Sequence, residues 1–79
     1  MKAKVYVSYK EGVLDPQGQT VKNAIASVGY RGIEDVRQGK YFEIKLKDLS
    51  RTDADKLIKE IAEKILTNHI IERFEYKLE

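Results

Sequence analysis

Apolar and polar residues alternate along three short segments of the chain, a pattern typical of half-buried β-strands. The apolar members sharing one face are Ala3, Val5, Val7 and Tyr9 in residues 3–9, then Phe42, Ile44 and Leu46, and finally Phe74, Tyr76 and Leu78. Ile33 and Val36 are interpreted as a further strand, with VRQGKY, residues 36–41, as the hairpin turn beside it. The pattern therefore predicts four strands.

Residues 16–28 repeat their apolar positions at the spacing of an amphipathic helix. Asp15 is a suitable N-cap, Pro16 fits the first helical position, and Gly29 suits the left-handed residue that ends a helix. The stripe comprises Val21, Ala24, Ile25 and Val28.

A second helical stripe follows the third predicted strand. Thr52, with Asp55 three residues later, resembles a capping box, and Asn68 can end the helix. The apolar members are Ala54, Leu57, Ile58, Ile61, Ala62, Ile65 and Leu66.

The predicted order is β-α-β-β-α-β, which is the plan of a single ferredoxin-like α+β domain over residues 1–79. Right-handed crossovers would place both helices on one face of a four-stranded antiparallel sheet, with the first and third strands central. The opposite face is then uncovered, and Tyr6, Tyr41 and Ile71 are expected there. Such a face is a suitable place for subunits to meet, so we expect a homo-oligomer, a dimer or a tetramer.

Composition limits the classes of function. Fifteen Lys and Arg residues stand against thirteen Asp and Glu residues, and the two signs alternate without a polybasic block. No cysteine is present, and no apolar run has the length of a signal-peptide core or a membrane span. We therefore expect a cytoplasmic protein with neither nucleic acid nor membrane as a partner.

Candidate catalytic residues are few, and each has a structural interpretation. His69 is the only histidine and follows the second helix, where a capping or loop role is expected. The serines lie outside any nucleophile motif, and no phosphate-binding glycine loop occurs. The acidic residues of the second helix alternate with lysines and are expected to form surface ion pairs. The serines are Ser8, Ser27 and Ser50, and the acidic residues are Asp53, Asp55, Glu60 and Glu63.

RNA binding is an alternative that the residues do not favour. GKYFEIKL, residues 39–46, resembles the base-stacking strand of an RNA-recognition domain, but Phe42 falls on the predicted core face and Glu43 replaces a small or apolar residue. GYRG, residues 29–32, joins a helix to a strand, whereas the G-x-x-G of a KH domain joins two helices.

Two stretches at matching separation carry a family resemblance. KEGVLDPQG, residues 10–18, and GIEDVRQGKY, residues 32–41, resemble the PurS family, the small third subunit of phosphoribosylformylglycinamidine synthase in bacteria and archaea. The resemblance covers nearly the whole chain. One departure is Asn68-His69, where the family often has Asn-Pro.

The resemblance implies a non-catalytic role in purine biosynthesis. In that family's complex, a glutaminase subunit releases ammonia, and a large ATP-dependent synthetase subunit uses it to make formylglycinamidine ribonucleotide. The small subunit joins the two. The complex is expected to use ATP, Mg and glutamine, with no cofactor bound by this chain, and whether the chain itself counts as an enzyme is left open.

The two signature stretches are expected to face partner subunits. Arg37, Gln38 and Lys40 are the better candidates, because a turn needs Gly39 but not three long polar neighbours. For the first stretch an alternative remains open, since Asp15 and Pro16 are also explained as a helix start without any partner. A small regulatory domain that binds a ligand where subunits meet remains the alternative, since fold alone does not set function. The interface candidates are Asp15, Gln17, Arg37, Gln38, Lys40 and Tyr41.

Overall fold

A computed structural model describes residues 1–79 and contains three strands and two helices. The three strands form one antiparallel sheet in the order β2-β1-β3, so the first strand lies in the centre. The elements in chain order are β1 (Lys2–Tyr9), α1 (Pro16–Ser27), β2 (Lys40–Lys45), α2 (Arg51–Ile61) with a π-helical turn (Ala62–Leu66), and β3 (Glu72–Leu78).

The predicted four-stranded, ferredoxin-like sheet is wrong. Residues 30–39 form no strand and no hairpin, and the predicted third strand, now β2, lies at an edge. Ile33 and Val36 are three residues apart, so they cannot share one face of a strand, whose side chains repeat every two residues. Gly39 is needed for a different reason, since a side chain there would collide with the carbonyl oxygen of Val7.

The core lies between one face of the sheet and the second helix. Val5 and Val7 of β1 pack against Ile58 of α2, and all three are fully buried or nearly so. The alternation that predicted β1, β2 and β3 is confirmed, because the apolar members of each strand face this core. The partly buried side chains around it are Phe42, Ile44, Leu46, Leu66, Phe74, Tyr76 and Leu78.

Both helix starts are set by side-chain caps. The predicted Asp15 cap and Pro16 start of α1 are confirmed, and Gly29 takes the left-handed conformation, with φ of +93°. The capping box predicted at Thr52 is wrong. Ser50 caps α2 instead, because it lies in extended backbone and its hydroxyl accepts from the Asp53 N–H at 3.1 Å.

The π-helical turn ends at Leu66, and Asn68 organises the following corner. The Asn68 carbonyl accepts from the N–H groups of Ile71 and Glu72, and its side chain accepts from the Ile70 N–H. The corner is thus closed by hydrogen bonds to Asn68 without a proline.

Helix α1 does not pack on the sheet, which corrects the prediction that both helices cover one face. Gly18 is its only buried residue. The radius of gyration is 16.1 Å, whereas a compact domain of this length has about 12 Å, and the principal extents are 51 × 24 × 15 Å. The chain is therefore elongated, with α1 projecting from a small two-layer body.

Candidate functional site

The two signature stretches lie against each other, and a buried carboxylate joins them. Asp15 is 5% exposed. Its Oδ1 accepts from the Gly18 N–H at 2.8 Å, and its Oδ2 accepts from the Gln38 N–H at 2.7 Å, across 23 residues of sequence. We call residues 13–18 and 35–40 the paired loops. One side chain thus caps α1 and binds its first turn to the chain segment that enters β2.

Gly18 makes this close approach possible. A side chain at this position would collide with the carbonyl oxygen of Val36 in the opposite loop and with the Asp15 carboxylate. In a sequence, a glycine in the first turn of a helix is a weak signal, so its role was missed. LDPQG, residues 14–18, therefore encodes both a helix start and a contact surface for residues 36–38.

The long polar side chains of the second loop have intramolecular partners. The Arg37 guanidinium donates to the carbonyl oxygens of Val13 at 3.1 Å and Lys10 at 3.3 Å. The Gln38 and Gln17 side-chain amides bond to each other. Lys40 pairs with Glu72 at 3.7 Å. Arg37, Gln38 and Lys40 therefore each have a structural role within the chain, which the sequence did not indicate. Their contact with partner subunits stays a prediction.

The carboxyl group of Asp15 is held in its ionised form. Hydrogen bonds from the backbone N–H groups of Gln38 and Gly18 lower the pKa of Asp15 below its usual value, against the opposing effect of desolvation, and the nearby Arg37 charge adds to the lowering. Both residues thus stabilise the paired loops. Arg37 donates to backbone carbonyl groups, and Asp15 accepts from backbone N–H groups.

Tyr41, the remaining interface candidate, lies on the sheet face opposite the core. Its ring lies 5.0 Å from that of Tyr6, and both rings are almost half exposed. The Tyr41 hydroxyl donates to Glu43 at 2.8 Å, and partial desolvation, followed by that bond, raises the pKa of Tyr41. Ion pairs of Lys2 with Glu43 and of Lys4 with Glu79 cross the same face. We call it the outer sheet face.

The candidate catalytic residues are not brought together. His69 is exposed in the corner after the π-helical turn, Ser27 donates to the Ala24 carbonyl, and Ser50 caps α2. Of the acidic residues, Glu60 pairs with Lys64 at 2.7 Å, and Asp55 accepts from the Tyr76 hydroxyl at 2.8 Å. No three His, Asp and Glu side chains are grouped to hold a metal ion, and no helix is long and apolar enough to cross a bilayer.

Comparison with known proteins settles the family. The PurS family model, described as phosphoribosylformylglycinamidine (FGAM) synthase, matches residues 2–79. The chain belongs to the PurS family, the family of the small subunit of FGAM synthase. Among curated relatives, the PurS subunit of Bacillus subtilis is 50% identical over 78 residues, covering 99% of this chain and 92% of the relative. The PurS subunit of Mycobacterium leprae is 44% identical over 71 residues, covering 90% and 86%.

Solved structures agree with the fold. Bacillus subtilis PurS superposes with a TM-score of 0.88 at 50% identity, covering 99% of this chain and 96% of that one. Methanocaldococcus jannaschii PurS, described as one of the subunits of formylglycinamide ribonucleotide amidotransferase in the purine biosynthetic pathway, gives 0.87 at 29% identity, with 99% and 94% covered. A chain in the PurLQS structure of Thermotoga maritima gives 0.86 at 24% identity, with 96% and 93% covered, which shows a shared fold.

The hydrogen bond that the Asp15 carboxylate accepts from the Gln38 N–H predicts a specific dependence of the free energy of unfolding on pH. The folded-state pKa of Asp15 is below its unfolded value of about 3.9, so the stabilisation is complete well above that pH and is lost as the pH falls through the folded-state pKa. Asp15→Asn can still cap α1 but places an uncharged amide opposite the Gln38 N–H. We expect a lower free energy of unfolding than wild type at pH 7, and a difference that shrinks as the pH falls below about 4.

Urea unfolding at pH 7 and pH 3, at one chain concentration, measures this difference. Glu63→Gln, at an exposed position in the π-helical turn, is the matched control, because the Glu63 side chain forms no hydrogen bond or ion pair. An Asp15→Asn variant as stable as wild type at pH 7 would show that the ionised carboxylate opposite the Gln38 N–H contributes nothing to the free energy of unfolding.

Proposed function

We propose that this chain is the non-catalytic coupling subunit of an FGAM synthase complex and bridges a glutaminase subunit and a large ATP-dependent synthetase subunit. Family membership supports this role. The structural observation that supports this role most directly is the amount of exposed apolar surface. Thirteen large apolar side chains are more than a third exposed, while only ten of 79 residues are buried. A chain with this balance is suited to being covered by other subunits.

The proposed mechanism is positional. Ammonia released into water is diluted and becomes protonated, whereas ammonia passed between adjoined sites acts at a high effective concentration. A rigid connector would serve this purpose by fixing the distance between the two active sites. The elongated shape, 51 Å in its longest extent, suits a connector between two larger subunits.

The same proposal covers the cofactors of the complex, its reaction class, its cellular location and its oligomeric state. ATP, Mg and glutamine are used by the partner subunits, and this chain holds no cofactor. The complex belongs to the ligase class and is cytoplasmic. The chain forms a homo-oligomer, for which the uncovered apolar stripe of α1 is the supporting feature, with Val21 40% and Val28 70% exposed. Nucleic acid and membrane are not among its partners.

The reaction itself tests the role. The purified glutaminase and synthetase subunits are assayed for formylglycinamidine ribonucleotide with and without this chain, using either glutamine or free ammonia as the nitrogen source. We expect the chain to be required with glutamine and dispensable with ammonia, because only the first reaction needs transfer between subunits. A chain that changes neither rate would overturn the proposal.

Lys40 on the paired loops and Tyr41 on the outer sheet face are proposed to contact the larger subunits. Tyr41→Ala removes a half-exposed ring whose loss leaves the core intact. Lys40→Ala removes an exposed lysine, and its buried partner Glu72 keeps the hydrogen bond from the Asn68 N–H. We expect both variants to fold like wild type and to weaken assembly, measured by co-elution with the two partner subunits. Lys56→Ala, at an exposed position on α2, is the control. Normal assembly of both variants would remove this region from the interface.

A further inference from the structure

A polar cavity of about 800 Å³ lies beside the paired loops. Its walls come from the end of β1, the turn that follows it, the start of α1, the loop before β2, and β3. We call it the loop cavity and define it by Glu11, Leu14, Asp35, Arg37 and Arg73. Its volume falls within the roughly 300–1,000 Å³ that is typical of small-molecule sites. The chemistry of its side chains therefore determines which class of ligand it suits.

Charged side chains of both signs line the loop cavity without pairing to one another. The two cations are Arg37 and Arg73, and the two anions are Glu11 and Asp35. None of the four forms an ion pair, although ion pairs form elsewhere in the chain. The other carboxylate in the cavity, that of Asp15, already accepts from two backbone N–H groups. The charges open to a ligand therefore sum to zero, with both signs present.

One cation and one anion of the cavity are held in place by the chain itself. The Arg37 guanidinium donates to the carbonyl oxygens of Val13 and Lys10, which uses two of its five N–H groups and leaves three. Asp35 Oδ1 accepts from the Val36 N–H at 3.0 Å, and Oδ2 has no partner. Because both side chains are ordered before a ligand arrives, binding would cost little of their conformational entropy.

The mixed charges disfavour ligands of a single sign. A phosphate would bring two negative charges beside Glu11 and Asp35, and a polyamine would bring positive charges beside two guanidinium groups. A small molecule with one carboxylate and one ammonium group matches both signs, since guanidinium groups bind a carboxylate through two parallel hydrogen bonds and carboxylates bind ammonium through charge-assisted ones. Leu14, which is 76% exposed, offers apolar contact next to these charges.

We propose that the loop cavity binds a free α-amino acid, whose carboxylate lies at the two arginines and whose ammonium group lies at Asp35 and Glu11. Ligands with an uncharged side chain bind best, because a further charge of either sign would approach a like charge on the cavity wall. This site goes beyond the coupling role and does not depend on it. The chain binds the amino acid in the absence of the other subunits.

Amino acids and matched analogues test which charges the cavity recognises. Glutamine, asparagine, serine, leucine, glutamate and lysine are titrated into the purified full chain by calorimetry at pH 7 and low ionic strength, where charges are screened least. Each ligand that binds is compared with the analogues that lack its ammonium group or its carboxylate. For glutamine these are 4-carbamoylbutanoate and 4-aminobutanamide. We expect saturable binding of an uncharged member and about tenfold or weaker binding of both analogues.

Three results of these titrations would overturn the proposal. The first is that no amino acid of the panel binds. The second is that an analogue with one charged group binds as tightly as the amino acid, because recognition would then need one sign only. The third is that glutamate or lysine binds best. None of these results bears on the coupling role, which the assay with glutamine and ammonia tests separately.

Two substitutions with matched controls locate the site. Arg73→Ala removes a cation from the loop cavity, and Lys77→Ala removes one from the same face of β3 outside it. Asp35→Asn removes an anion but keeps the acceptor for the Val36 N–H, and Glu34→Gln is its neighbouring control. All four positions are exposed, so each variant is expected to keep the wild-type midpoint of urea unfolding.

We expect the affinity for the amino acid to fall by about tenfold or more in Arg73→Ala and Asp35→Asn, and to be unchanged in the two controls. Equal affinities in all four variants would place the bound amino acid outside the loop cavity and contradict the proposal. Equal losses in variants and controls would show that only the overall charge of the chain matters, which contradicts it as well.

Discussion

The position of helix α1 depends on one buried carboxylate. Asp15 accepts hydrogen bonds from the first turn of α1 and from the backbone N–H of Gln38, so a local cap is also a long-range link. Hydrogen bonds to an ionised acceptor are roughly twice as strong as neutral ones, and burial protects them from competing water. Arg37 reinforces the link from the other side by binding two carbonyl groups of the preceding loop.

This link has a consequence for the whole molecule. Because α1 is fixed beside residues 36–38, it does not lie on the sheet, and the single chain leaves two apolar surfaces uncovered. These surfaces are the stripe on α1 and the groove between α2 and β2. A domain of this size buries little apolar surface of its own, and association with other chains is a common way to bury more. The same geometry that makes the subunit incomplete alone suits it to a role in an assembly.

The sequence predicts the local elements well and their arrangement less well. Strict alternation identified β1, β2 and β3, and the Asp15-Pro16 pair identified the start of α1, because these signals act within a few residues. The predicted second strand was wrong, since Ile33 and Val36 have the wrong spacing for one face of a strand and this segment instead contacts α1. That outcome depends on Gly18 and on N–H groups of the backbone, and neither leaves a pattern in the sequence. The PurS resemblance came from two stretches whose mutual contact only the structure reveals.

Gly18→Ala is the most direct measurement of the link. In an ordinary helix this change stabilises by about 0.5–1 kcal/mol, but here the new methyl group would meet the Val36 carbonyl and separate the paired loops. We predict that the free energy of unfolding falls and that the glutamine-dependent activity of the reconstituted complex falls with it, while ammonia-dependent activity is kept. A variant that is more stable than wild type and fully active with glutamine would show that the contact between the paired loops does not position α1.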